Sequence, residues 1–159
     1  MTERLESLLS TILEEYPVTK RRELSNARAT KILYLADWLA SVETGNQISP
    51  IRWYFNRHGP YVTDLKDAAE NNREHFDVIQ SRNIYGSRML RFGLKRKVGH
   101  VSDRSRQFIK RAIRLTQDLS WSEFIRLVYS THPVMSGERY SFLDLPRAAK
   151  EYNELRSAS

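Results

Sequence analysis

The sequence contains no cysteine. That excludes disulfide and thiolate-metal staples and fits a reducing compartment. Glycine and proline are scarce, at six and five of 159 residues, so long flexible linkers are not expected. No apolar run approaches the ~20 residues of a membrane span. Glu3, Glu6, Glu14 and Glu15 lie among the leucines of the opening segment, which does not read as a secretory signal, and a cytoplasmic location is expected. Chemical motifs are missing too. His58, His75, His100 and His132 sit on four different elements or loops, and no pair has the spacing of a zinc site. There is no glycine-rich phosphate loop and no nucleophile elbow. The expectation is a protein that is not an enzyme and uses no metal or cofactor.

What is present is an ordinary globular composition, 40% hydrophobic and 28% charged, at a length that suits one domain over residues 1–159. The net charge of +7 is unevenly placed. Residues 1–80 carry a net of −2 and residues 115–159 a net of −1, whereas residues 81–114 hold eleven Lys/Arg against one acid. A local excess of that size suggests an anionic partner surface, although a solvated helix face beside a basic hairpin gives the same count.

The apolar spacing of Leu5, Leu8, Leu9, Ile12, Leu13 and Tyr16 predicts an amphipathic helix that Pro17 ends. Lys20–Arg22 reads as a polar connection. A second helix is expected from Leu24 to Val42, apolar almost all round between Ile32 and Ala40, and therefore central, with Gly45 as its left-handed cap. Ile48–Asn56 reads as a short extended piece or short helix, followed by a tight turn at Gly59–Pro60 and a short helix over residues 64–72. His75–Ile79 and Arg88–Leu94 predict a β-hairpin. Ser102 caps a helix that ends near Leu119, with Phe108, Ala112, Leu115 and Leu119 as its apolar stripe. Ser120–Glu123 is a capping box opening a helix with Trp121, Phe124, Ile125 and Val128 inward, and His132–Pro133 ends it. After a loop at Ser136–Tyr140, Asp144 and Pro146 start a last helix to about Leu155, with fraying at Arg156–Ser159. The fold class is mainly α (α+β): a compact helical bundle around a central apolar helix, with a small β-hairpin.

Asp37 is the acid within that central helix. An unpaired buried carboxylate is too costly, so it is expected to accept bonds from nearby backbone or from Arg52 or Arg57. Tyr34, Trp38, Trp53, Tyr54 and Phe55 read as core, some reaching the surface as interface anchors.

The run Lys31-Ile-Leu-Tyr-Leu-Ala-Asp37, then Gly45, Ile48, Arg52-Trp53 and His58-Gly-Pro-Tyr-Val62 with Leu65, resembles the Panacea domain, also called the SocA-like antitoxin domain. Phe124–Pro133, Tyr140 and Leu143-Asp-Leu145 are similar to its closing portion, so the resemblance spans about residues 25–155. It implies a mostly helical domain, encoded beside toxin genes in bacteria and phages, that neutralises a cognate protein toxin by direct binding. Some members link the partner to a protease. The basic hairpin, residues 81–100, matches no family motif.

The leading reading is an antitoxin or adaptor that binds protein. Its expected partner contacts are Tyr54, Arg57, His58 and Tyr61 at the turn, with Arg82, Arg88 and Arg91 on the hairpin. The alternative is a nucleic-acid-binding module or autoregulator, because Arg106, Lys110 and Arg114 form one basic helix edge without a DNA-reading motif beside it.

Overall fold

A computed structural model describes residues 2–158. Helix α1 (Leu5–Glu15) buries Leu8, Leu9, Ile12 and Leu13. Pro17 breaks it, and the expected polar connection is a 3₁₀ helix, Val18–Glu23. Helix α2 (Asn26–Thr44) opens on Ser25, whose hydroxyl accepts from the Arg28 amide at 3.1 Å. It closes on Gly45 at φ +81°, a conformation that glycine adopts without a Cβ clash. Fourteen of its 19 residues are buried, which makes it the central helix the apolar run predicts.

Two short strands follow, β1 (Phe55–Asn56) and β2 (Gly59–Pro60), paired antiparallel around the Arg57–His58 turn. Helix α3 (Asp64–Glu70) leads to the hairpin of β3 (Phe76–Arg82) and β4 (Arg88–Leu94), in register Phe76 to Leu94 and Arg82 to Arg88. Asn83 organises the hairpin loop: its side-chain oxygen accepts from the amides of Tyr85 and Ser87. Helices α4 (Asp103–Thr116), α5 (Trp121–Tyr129), α6 (His132–Ser136) and α7 (Leu145–Ala158) complete the chain. Helices α4 and α7 pack on α2, and one apolar cluster runs from Leu8 to Ala149. The mainly α architecture with a small β part is as expected.

Several expectations are corrected. Leu115 is 53% exposed, not core. The inward face of α4 is Phe108, Ile109, Ala112, Ile113 and Thr116, and at 3.6 residues per turn Leu115 falls about a quarter turn off its centre. Helix α4 also ends at Thr116 rather than near Leu119. Trp121 begins α5 and is 45% exposed, because Arg28 and Lys31 occupy the space beneath its ring. Pro133 does not only terminate: as an early helical residue, where its missing N–H costs nothing, it starts α6. Helix α7 runs on through Arg156 to Ala158; Ser159, included in the expected frayed end, lies outside the described residues.

Candidate partner-binding surface

The site is built outward from Asp37, which is fully buried. Its carboxylate accepts from the amides of Ile48 and Ser49 at 2.8 and 2.9 Å, from the Trp53 indole at 2.8 Å, from Gln47 Nε2 at 3.4 Å and from the Ser49 hydroxyl. The expected Arg52 and Arg57 are not its partners. A loop that doubles back on its own helix offers backbone N–H groups at shorter reach than any guanidinium. Burial pushes the Asp37 carboxyl up to about 6 in spite of these donors. Between the ordinary value of 3.8 and about 6, the folded chain holds a proton that the unfolded chain has lost. Stability from this group therefore falls as pH rises through that window and is flat above it. Carbon-detected NMR of the Asp37 carboxyl is expected to show a midpoint near pH 6 in the folded protein; a midpoint below 4 would show the donors outweighing burial.

Pinned in this way, residues 47–53 deliver Trp53 to the core and Tyr54 to the surface. A third extended segment then joins β1. The Phe55 amide donates to the Ser141 carbonyl at 2.9 Å, the Tyr140 amide to Phe55 at 2.6 Å, and the Leu143 amide to Trp53 at 2.8 Å. Tyr140 holds φ +66°, the only left-handed non-glycine among the described residues. Such a conformation persists only where its surroundings over-determine it. The pairing sets Tyr54 edge-to-face on Phe142, centroids 5.1 Å apart, and lays the Arg52 guanidinium 3.6 Å over the Phe142 ring. Phe142, Tyr140 and Met135 are 52%, 60% and 71% exposed. Arg139 donates to the Tyr129 hydroxyl at 3.3 Å and lies over Phe55.

Of the expected contacts, Arg57 and His58 are exposed at the turn and Tyr54 is half-buried beside Phe142. Tyr61 is half-buried, its hydroxyl accepting from Asn26 Nδ2 at 2.9 Å. Arg82 and Arg88 are exposed on the hairpin, Arg82 donating to the Gly86 carbonyl at 2.7 Å. Arg91 is half-buried, and its backbone bridges to Ser25. The start of α2 thus joins the two expected contact regions, since Ser25 meets Arg91 and Asn26 meets Tyr61. On the basic helix edge, Arg106 pairs with Glu14 and Glu15 at 3.1 and 2.7 Å, Lys110 is half-buried and Arg114 is exposed. Lys95, Lys97 and Arg111 also pair with acids, so part of the local excess of charge is answered within the fold.

Sequence reading missed Arg52, Arg139 and Phe142 at the surface, and Lys31 beneath it. The alternation of Tyr140-Ser-Phe-Leu143 was the available signal for a pairing segment. Lys31 was open to the same question as Asp37, a charge in an apolar helix.

Among the described residues, no cluster of three or more His, Asp or Glu could hold a metal ion, and no helix is long and apolar enough to cross a membrane. Compared with known proteins, residues 30–133 match the family model described as antitoxin SocA-like, Panacea domain. No curated protein and no solved structure matches the chain.

Proposed function

The chain belongs to the SocA-like antitoxin, Panacea-domain family, and from that premise we propose that it neutralises a protein toxin by forming a direct complex in the cytoplasm of its host. The observation that carries this beyond family membership is the surface around β1, where Tyr54, Phe142 and Tyr140 stand with Arg52, Arg57 and Arg139. Aromatic and Arg side chains dominate the energetic centres of protein interfaces. A standard interface needs about 800 Å² from each partner, less than a tenth of the 9204 Å² exposed here. The basic hairpin, with Arg82, Arg88 and Arg91, extends the surface and speeds capture of an acidic partner. As in some family members, the captured toxin is then open to delivery to a protease.

Co-expression with the product of the neighbouring gene tests the proposal. The expected result is rescue of growth and co-purification of the two chains. A toxic neighbour that is neither rescued nor bound would refute the antitoxin reading. Rescue that survives reversal of charge at Arg82, Arg88 and Arg91 would confine the interface to the aromatic side.

A further inference from the structure

Lys31 is 2% exposed, yet among the described residues nothing within hydrogen-bond or ion-pair reach answers its ammonium. Arg28, one turn earlier and 6% exposed, differs in having its donors occupied: the carbonyls of Thr116 and Leu119 accept from it at 3.3 Å each. Around Lys31 stand the rings of Tyr61 and Trp121, with centroids 5.7 and 5.9 Å from Nζ. Contacts at that range lie near the outer limit for a cation over a ring and offset only part of the cost of taking the charge out of water. Gly59 brings the turn backbone down onto the same spot. A Cβ there would stand 3.2 Å from the Tyr129 ring and 3.9 Å from Lys31 Cε, and φ +100° also requires glycine.

We propose that Lys31, between Tyr61 and Trp121, is the seat for a carboxylate that the partner protein inserts. This rests on the antitoxin reading above. Trp121 is the first residue of α5 and 45% exposed, so the ring that stands 5.9 Å from the ammonium borders solvent on the side from which a side chain would enter. The seat is continuous with the aromatic surface through Tyr129, which packs on Gly59 and accepts from Arg139. A carboxylate suits it better than a phosphate. There is one ammonium with unused donors, whereas phosphate brings up to two charges and three acceptor oxygens and favours Arg clusters. In the free protein, burial pulls the Lys31 ammonium down to about 8, and a paired carboxylate reverses that direction.

Lys31→Met keeps the apolar stem and removes the charge, so the free variant is expected to fold at least as stably as the parent, as urea unfolding will show. Against the toxin that the parent rescues, its affinity is expected to fall about thirtyfold or more. In the same complex, NMR of ¹³Cε-labelled lysine is expected to move the Lys31 titration from near pH 8 to above the ordinary lysine range. Unchanged affinity of a folded Lys31→Met, or an unmoved titration, overturns the inference while leaving the antitoxin reading intact. A second probe needs no toxin: arrays of random dodecapeptides, amidated or with free C termini. The parent is expected to select peptides carrying Asp or Glu beside apolar residues, and Lys31→Met to lose them. Selection only with free termini assigns the seat to a terminal carboxylate, and selection on both arrays assigns it to a side chain. Lys31-dependent selection without any rescue would keep the seat and discard the antitoxin reading. Peptide binding indifferent to Lys31 would overturn the seat.

Discussion

Asp37→Ala is expected to lower unfolding free energy by about 3–5 kcal/mol, because several buried donors lose their shared acceptor at once. Five donors converge on this carboxylate: two backbone amides, an indole, a hydroxyl and a side-chain amide. Each buried donor left without an acceptor costs about 1–3 kcal/mol. The opposing effect is relief from burying the carboxylate, seen in the upward push on its ionisation. That relief is the smaller effect, because alanine replaces the carboxylate with neither an acceptor nor volume. Domains of this size hold about 5–15 kcal/mol in total, so the variant sits near its folding threshold. Urea unfolding checks this, with Asp37→Asn expected to fall in between, since it keeps one acceptor oxygen and turns an NH₂ toward the donors. A loss below about 1 kcal/mol in the alanine variant would mean that the 47–53 loop holds without its pin.

Alanine at Tyr54 or Phe142 is expected to weaken toxin binding by about thirtyfold each, the size of an interface hot spot, and the pair together by less than the product, because the two rings touch. Phe142 also carries the Arg52 guanidinium, so its removal frees that side chain as well. Stability is expected to change by only about 1 kcal/mol, since Phe142 is half in solvent. Titration calorimetry against the neutralised toxin, with thermal unfolding alongside, separates the two effects. Parent-like affinity in the folded double variant would place the interface elsewhere.

Local order was the legible part of this fold. The apolar spacing of α1, the all-round hydrophobicity of α2, the caps at Gly45 and Ser102 and the Ser120–Glu123 box are signals carried within a few residues, and each stands where it was read. Long-range pairing was not legible. Nothing near Tyr140–Leu143 in sequence announces that it pairs with residues 53–55, so the exposed aromatic group could not be assembled from either segment alone. The role of Asp37 as an acceptor followed from the cost of burying a charge; its partners did not, because they depend on how the next loop folds back. The ion pairs of Arg106 were not legible for the same reason: Glu14 and Glu15 lie on another helix, some ninety residues away. Even Trp121, inward by periodicity, is displaced by two cations that a helical wheel of α5 does not contain.

The fold keeps its buried pin and its exposed aromatic surface on separate residues. Asp37 and Trp53 are sealed inside, while Arg57, His58, Tyr140 and Phe142 face solvent on turns and an edge segment. Tyr140 and Phe142 also lie beyond residue 133, where the family match ends. Recognition and folding can therefore mutate on different schedules. On the proposed antitoxin reading, exposed positions are free to follow a changing toxin while the buried pin stays untouched, which would make this architecture a readily retargeted one.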